Sequence, residues 1–485
     1  MKVSNISKLA IVLAGVLSLN TSCKKWLDVN DDPNKLSQDQ ATLALTLPSA
    51  EYTIAYVVGN TYAEIGGFLS QYYTQLPSGT QYYDFDRYAF NGSDADREWS
   101  QLYAGALKDL NFIVDKGAAN GDSNYVAAAK ILQAYTFQLV TDVHGDIPFS
   151  EALLAQSGNI SPKYDAQSAV YDGCLVLLND ALKWISPESI KHPASDDVIF
   201  GGDMALWLKF ANTLKLKLAV RQSAIRPTVT AEIMASLATA DFLEVDENTL
   251  INFYTSRGDQ NPLYARIQGV GVDNNVASKS IADSLNSWGD PRAAAFFDEE
   301  SFGAGGINGI AQGAAAENPG SFPANTPNST MSAQILGPAV PVILMSNWEA
   351  KFLQAEAKAK GWMTGATTAQ EDYEEAIVNN MSYFGIDTTG LNLFGAAPYM
   401  WETLPADQAR QIAVQKWVSM CGTQSMEAWA ELRRTGYPVL PTSLASQLGV
   451  GLFPQRIPYP TGEVTANPNF PGQKTITLRM WWDLL

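Results

Sequence analysis

Trp207-Leu208-Lys209-Phe210-Ala211-Asn212-Thr213-Leu214-Lys215-Leu216-Lys217-Leu218-Ala219-Val220-Arg221 sets large apolar side chains at Trp207, Phe210, Leu214 and Leu218. Recurrence every three or four positions puts them on one face of a helix. The same spacing runs through Leu43 to Gln75, Arg97 to Lys116, Ser123 to Thr141, Ala166 to Ile185, Asp203 to Ile225 and Thr230 to Ala240. It resumes over Asn275 to Ser287, Pro291 to Phe297, Ser346 to Trp362, Ala369 to Phe384, Pro405 to Cys421 and Ser425 to Arg434. Strand-like alternation is rare, so the fold class is expected to be mainly α.

Phe352 to Trp362 carries small Ala355, Ala357 and Ala359, and Asp372-Tyr373-Glu374-Glu375-Ala376-Ile377 opens the next helix. Small residues let one helix approach another, and the two segments resemble a tetratricopeptide helix pair. Tyr125 to Leu139 and Ser168 to Trp184 form a second candidate pair across a long insertion. Such pairs serve as scaffolds and protein-docking surfaces. Between the helices lie irregular stretches at Leu76 to Asp96, Gly258 to Asn274, Asp298 to Pro341, Asp387 to Thr403 and Pro454 to Gly472. Loops of that length in a compact chain are usually functional or disordered, and aromatic residues in two of them favour function.

The N-terminus has a different character. Lys2 and Lys8 precede an apolar run from Leu9 to Leu19, then small or polar Asn20, Thr21 and Ser22, then Cys23-Lys24-Lys25-Trp26. This is the anatomy of a bacterial signal peptide, too short for a comfortable membrane span. Cys23 reads as the lipid attachment point and the first residue of the mature chain, although Asn20 stands where a lipobox usually has leucine. The expected organisation is a leader at 1–22, a lipidated tether at 23–40, and a single helical body at 41–485 with long loops at 76–96, 298–341 and 387–403.

The chain has 485 residues and a formal charge of -18, which becomes -20 once the leader's two lysines are removed. Such acidity disfavours nucleic acid and anionic lipid as partners, leaving the lipid on Cys23 as the route to a membrane. Cys174 and Cys421 sit in apolar helical patterns and read as buried thiols, with pairing left open. Asp28, Asn30 and Asp32 have the spacing of a calcium loop, but Pro33 replaces the glycine that loop needs, and no metal or cofactor is expected. With only His144 and His192, no helical zinc pair is available, and no Gly-x-Ser-x-Gly nucleophile turn occurs. A glycosidase needs two suitably separated carboxylates, which fifty acidic residues supply by accident.

The interval from Tyr72 to Trp99 mixes Tyr82, Tyr83, Asp84, Phe85, Asp86, Tyr88, Phe90 and Asn91. Sugar rings present apolar C–H faces, so aromatic rings beside amide and acidic groups suit their capture without any chemistry. Tyr82, Tyr83, Asp84, Tyr88 and Asn91 are therefore the leading ligand-binding candidates; the alternative is that the tyrosines pack the loop onto the helices. Trp288, Phe322 and Trp401, in or beside other irregular stretches, are secondary candidates, whereas Trp99 has helical spacing and reads as core.

Six segments in order resemble the SusD/RagB family of outer-membrane nutrient-binding lipoproteins, in its SusD-like branch. They are Cys23 to Asp28, Thr141-Asp142-Val143-His144-Gly145-Asp146-Ile147-Pro148 with Phe149 to Ala152, Trp207 to Arg221, Ala355 to Gly361, Glu427 to Pro438, and Arg456 to Glu463. The resemblance implies a tetratricopeptide-like helical scaffold with a loop-rich binding half. It also implies capture of a glycan or peptide at the cell surface, beside a TonB-dependent transporter of the SusC/RagA type, without catalysis. Most signature residues have a structural reading: Asp142 to Pro148 as a helix end with a tight turn, and Arg433 and Arg434 as partners for Glu427 or Glu431. A structural or adaptor lipoprotein is the alternative function, and a surface glycosidase a more distant one.

Overall fold

Helices dominate the computed structural model, which describes residues 41–186, 189, 191–270, 274–298, 306–317 and 321–483. The leader, Cys23 and the tether through residue 40 lie outside the described residues. Counting helices of nine residues or more, the order is α1 (Leu43–Val58), α2 (Thr61–Leu69), α3 (Lys108–Asn120), α4 (Ser123–His144), α5 (Gln167–Trp184), α6 (Met204–Gln222) and α7 (Pro227–Ser236). Then come α8 (Pro262–Val270), α9 (Lys279–Trp288), α10 (Asn347–Ala359), α11 (Ala369–Tyr383), α12 (Pro405–Ser419) and α13 (Ser425–Thr435). The short strands β1 (Tyr73–Gln75), β2 (Ile147–Pro148), β3 (Tyr164–Asp165), β4 (Thr249–Ile251), β5 (Asn275–Ala277) and β6 (Val342–Met345) form three antiparallel pairs, β1 with β5, β2 with β3 and β4 with β6.

Both expected helix pairs are present: α4 packs along α5, and α10 along α11. Local chemistry fixes their starts. Asp203 caps α6 by accepting from the Ala205 and Leu206 N–H groups at 2.9 and 3.3 Å, and Thr368 and Glu371 form a reciprocal capping box on α11. From Phe210 onward every residue of α6 is buried, including Lys215, Lys217 and Arg221, so this helix is enclosed on all sides.

Three expected helical runs differ in detail. Leu43 to Gln75 breaks at Gly59, where a Cβ would stand 2.2 Å from Val342 Cγ2 of β6, so the backbone approach there demands glycine. The end of that run, β1, leaves the helix to pair with β5, and the predicted helix from Asn275 therefore begins only at Lys279. Arg97 to Lys116 becomes a short helix, Asp96–Ser100, a π-helical turn over Gln101–Leu107, and α3. Cys174 and Cys421 are separate buried thiols, and burial raises both.

Charge is buried where five helices meet. Arg221 of α6 donates Nη1 to Asp142 Oδ2 of α4 at 2.6 Å and Nη2 to Glu427 of α13, and its Nη2 lies 3.1 Å from Glu431 Oε1. Lys217 reaches Glu349 of α10 at 2.8 Å and Glu427 at 3.2 Å, and Lys416 of α12 lies 3.2 Å from Glu431. Arg434 makes a two-pronged pair with Glu356 at 2.7 and 2.8 Å while also holding Glu431. Arg433 instead donates to the carbonyls of Asp142 and Gln455, both at 2.8 Å, so only Arg434 takes the carboxylate partner the spacing predicts for both arginines. Burial alone would raise the Glu431 carboxyl, yet Arg434, Lys416 and Arg221 hold it well below the usual carboxylate range. Asp142 also accepts from Tyr171 at 2.7 Å and from the Trp482 indole at 3.0 Å, drawing α5 and the C-terminal segment onto the same point.

The helix end after Asp142 is as the sequence suggests. Gly145, at φ 102°, closes α4, and a Cβ there would meet Arg456 Nη1 at 2.5 Å. His144 is wholly buried between Tyr62 Oη, at 3.3 Å, and the Ile457 carbonyl, at 3.1 Å, and burial pulls its pKa down to about 4.

Two outcomes follow. Glu431→Gln leaves three buried cations short of one carboxylate and should cost about 3 to 5 kcal/mol; a urea-midpoint change equivalent to less than about 1 kcal/mol at pH 7 would sink the network's structural role. Because His144 is neutral in the fold down to about pH 4 but titrates near 6.5 unfolded, its contribution is intact above pH 6.5 and falls away as pH drops toward 4. That loss is about 3 kcal/mol. His144→Gln, compared with the parent across this window by denaturation, should show a shallower decline; parallel curves would contradict the assignment.

Candidate functional site

The loop at 76–96 is built on an aromatic ladder. Phe68 of α2 meets Tyr82 at 5.4 Å and Phe85 at 5.8 Å between ring centres, and Phe85 stacks on Tyr82 at 5.8 Å and on Phe90 at 5.3 Å. Offset ring pairs of this kind add to simple area burial, so they fasten the loop to the helices. Tyr82 is 5% exposed and its hydroxyl lies 3.4 Å from Arg266 of α8, while Tyr88 is 1% exposed beside Phe453. Neither ring face is open to a ligand in this arrangement, which corrects the expectation of a stacking platform at Tyr82 and Tyr88. Trp99 is core, as its spacing predicts.

The other candidates keep some exposure but do not converge. Tyr83 is half-buried, and Asp84 is exposed and paired with Arg87. Asn91 is exposed and caps the turn Gly92–Asp94, accepting from the Ser93 N–H at 2.9 Å. Phe322 packs on the apolar cluster of Val276, Ile310 and Ala314, and Trp288 on the cluster around Phe296. Trp401 lies against Tyr373 of α11 at 5.1 Å, within the scaffold.

What organises this half is Asp86. Its carboxylate, fully buried with no cation beside it among the described residues, accepts from Thr74 Oγ1 at 3.0 Å, the Gln75 N–H at 3.1 Å, Gln312 Nε2 at 2.6 Å and the Gly313 N–H. Its carbonyl accepts from Ser443. Burial pushes the Asp86 pKa up to about 7 against the lowering effect of those donors. Three segments distant in sequence, 73–90, 310–317 and 441–447, thus meet at one residue, the first two at its carboxylate and the third at its main-chain carbonyl, and Gln447 N–H to Arg87 O and Gln71 Nε2 to Pro441 O, at 2.9 and 2.6 Å, complete the junction.

Above this junction lies a cleft of about 330 Å³. Lys279, Ser280, Asp283 and Ser284 of α9 form one wall, Gln312 contributes to the lining, and the strap Pro438–Leu440 with Thr442 and Leu444 forms the other wall. Hydroxyls, an amide and an ammonium–carboxylate pair at 3.0 Å stand opposite the mainly apolar strap, a mixture suited to a ligand with hydroxyls and apolar C–H faces. Sequence reading missed these residues, which are local to no single motif; the one available signal was the run Pro438-Val439-Leu440-Pro441, in which the structure leaves Val439 82% exposed. Among the described residues no cluster of histidine, cysteine and carboxylates could hold a metal ion, and no helix is long and apolar enough to cross a membrane.

A sequence profile of the SusD-like family, described as starch-binding and associating with the outer membrane, matches residues 33–460. The chain belongs to this family. Among solved structures, a chitin-binding protein superposes with a TM-score of 0.76 at 24% identity, over 90% of this chain and 100% of its own. A chitin-binding SusD homologue from Flavobacterium johnsoniae gives 0.74 at 21% identity over 91% and 98%. A SusD homologue from Bacteroides vulgatus gives 0.76 at 22% identity over 92% and 98%. These likenesses show the SusD-like fold, mainly helical as expected. No curated protein matches the chain in sequence.

Removing the Asp86 carboxylate should loosen the site before the scaffold. Asp86→Ala leaves at least two buried donors unpaired, at a cost of about 2 to 4 kcal/mol. Amide hydrogen exchange should accelerate in 82–90, 312–317 and 443–447 while α4 and α6 keep their protection; uniform acceleration, or none, would refute the hub.

Proposed function

We propose that this SusD-like protein is a cell-surface lipoprotein, anchored through Cys23, that captures an oligosaccharide and delivers it to a SusC/RagA-type TonB-dependent transporter. The observation that carries this reading is the family match over residues 33–460, whose description joins starch binding to outer-membrane association. Two structural neighbours described as chitin-binding support a glycan rather than a peptide as the ligand. Binding without turnover accords with a family whose members capture rather than cleave, and with a cleft that offers hydroxyl, amide and rim charges. Tyr83, Asp84, Asn91 and Phe322 are the proposed contacts on the loop side, with Ser280, Ser284 and Thr442 as the polar groups of the cleft. Phe322 packs on a cluster that includes Ala311 of the cleft lining, whereas Trp288 and Trp401 pack on other clusters and are weaker candidates.

Calorimetric titration with maltoheptaose and chitohexaose tests the reading. One of them is expected to bind, and Tyr83→Ala combined with Phe322→Ala should weaken it about tenfold or more, each stacked ring being worth roughly 1 kcal/mol. Thermal stability should change little, in contrast to Tyr82→Ala or Tyr88→Ala, which remove core. Absence of any glycan binding, with retention of a partner protein in gentle detergent extracts, would favour the adaptor reading instead.

A further inference from the structure

The Pro438–Leu440 strap also forms part of a separate cleft of about 210 Å³, whose chemistry differs from that of the glycan site. Trp429, Leu432 and Phe453 supply an apolar wall, and Arg433, Gln455 and Arg479 supply polar groups. Arg433 is 5% exposed, lies over the Trp429 ring at 3.5 Å, and spends Nε and Nη1 on the carbonyls of Trp429, Asp142 and Gln455. Its Nη2, and Gln455 Oε1, are shielded from solvent without a hydrogen-bond partner among the described residues. An unmet guanidinium donor is costly in such a place unless a ligand or water completes it.

The charge balance decides the kind of ligand. Among the described residues that line the cleft, Arg433 and Arg479 face one carboxylate, the buried Asp483 at 3.7 Å from Arg479, which leaves one positive charge in excess on a protein of net charge -18. A neutral sugar has no use for that excess, whereas a carboxylate is matched to a guanidinium in charge and hydrogen-bond geometry. The volume decides the size. It falls below the range of roughly 300 to 1,000 Å³ that encloses drug-sized ligands, so the cleft takes a head group about as large as one amino-acid residue.

We infer that this cleft binds small apolar carboxylates, the carboxylate meeting Arg433 and Arg479 and the apolar body lying along Trp429 and Phe453. The site is distinct from the proposed glycan site and stands whether or not that reading holds. Calorimetry on the detergent-solubilised full-length protein would use N-acetylphenylalanine, its C-terminal amide and octanoate. At least one acid should bind, the neutral amide should bind about tenfold or more weakly than N-acetylphenylalanine if that acid binds, and Arg479→Gln should weaken the acid several-fold while leaving glycan affinity unchanged. Arg479 is half-exposed, so this variant should fold as the parent does. Preference for N-acetylphenylalanine points to a peptide-derived ligand and preference for octanoate to a lipid-derived one. If neither acid binds, if the amide matches its acid, or if Arg479→Gln changes nothing, the inference fails.

Discussion

Buried charge has to be matched or the fold does not close. Asp142, Glu349, Glu356, Glu427 and Glu431 face Lys217, Arg221, Lys416 and Arg434 in a region almost sealed from water, where α4, α6, α10, α12 and α13 converge. Removing any ion from water costs several kcal/mol, recovered only with close partners and satisfied hydrogen bonds. The network is therefore weak evidence for net stability but strong evidence for register, since a helix shifted by one turn would leave unpaired charges. Asp142 carries the most dependents: α6 through Arg221, α5 through Tyr171 and the C-terminal segment through Trp482, while its carbonyl receives Arg433.

The two halves of the molecule solve burial differently. In the scaffold, opposite charges neutralise one another across helices distant in sequence. In the loop half, Asp86 has neutral donors only, and the burial that raises its pKa also makes those donors indispensable. A site assembled on one hydrogen-bonded carboxyl can vary its surrounding loops without disturbing the ion network beneath, consistent with relatives that keep this fold at 21 to 24% identity.

Much of the scaffold is legible in the sequence because its signal is periodic. The face from Trp207 to Leu218 and the alanines of Ala355 to Ala359 report burial through spacing alone, and the signature residues from Asp142 to Pro148 prove to be a helix end. Position within the loop half is not legible in the same way. Tyr82 and Tyr83 are adjacent and chemically identical, yet one ring is locked against Phe68 and the other is half open, a difference set by the Asp86 junction and not by local pattern. The cleft residues are harder still, because α9 and the Gln312 segment meet through the Ser278–Ile310 bridge, and the strap joins them only across more than a hundred positions. Charge spacing in α13 likewise predicts pairs within one helix, whereas Glu427 is claimed by Lys217 and Arg221 from α6.

The strap Pro438–Leu440 borders both clefts. For the two proposed sites a shared wall would couple their occupancy: an occupant that displaced the strap on one side would alter the width available on the other. Linkage then requires the effect to be mutual, each ligand changing the affinity of its neighbour by the same factor. The coupling would pass through three residues of chain, Pro438–Leu440, the segment common to both linings.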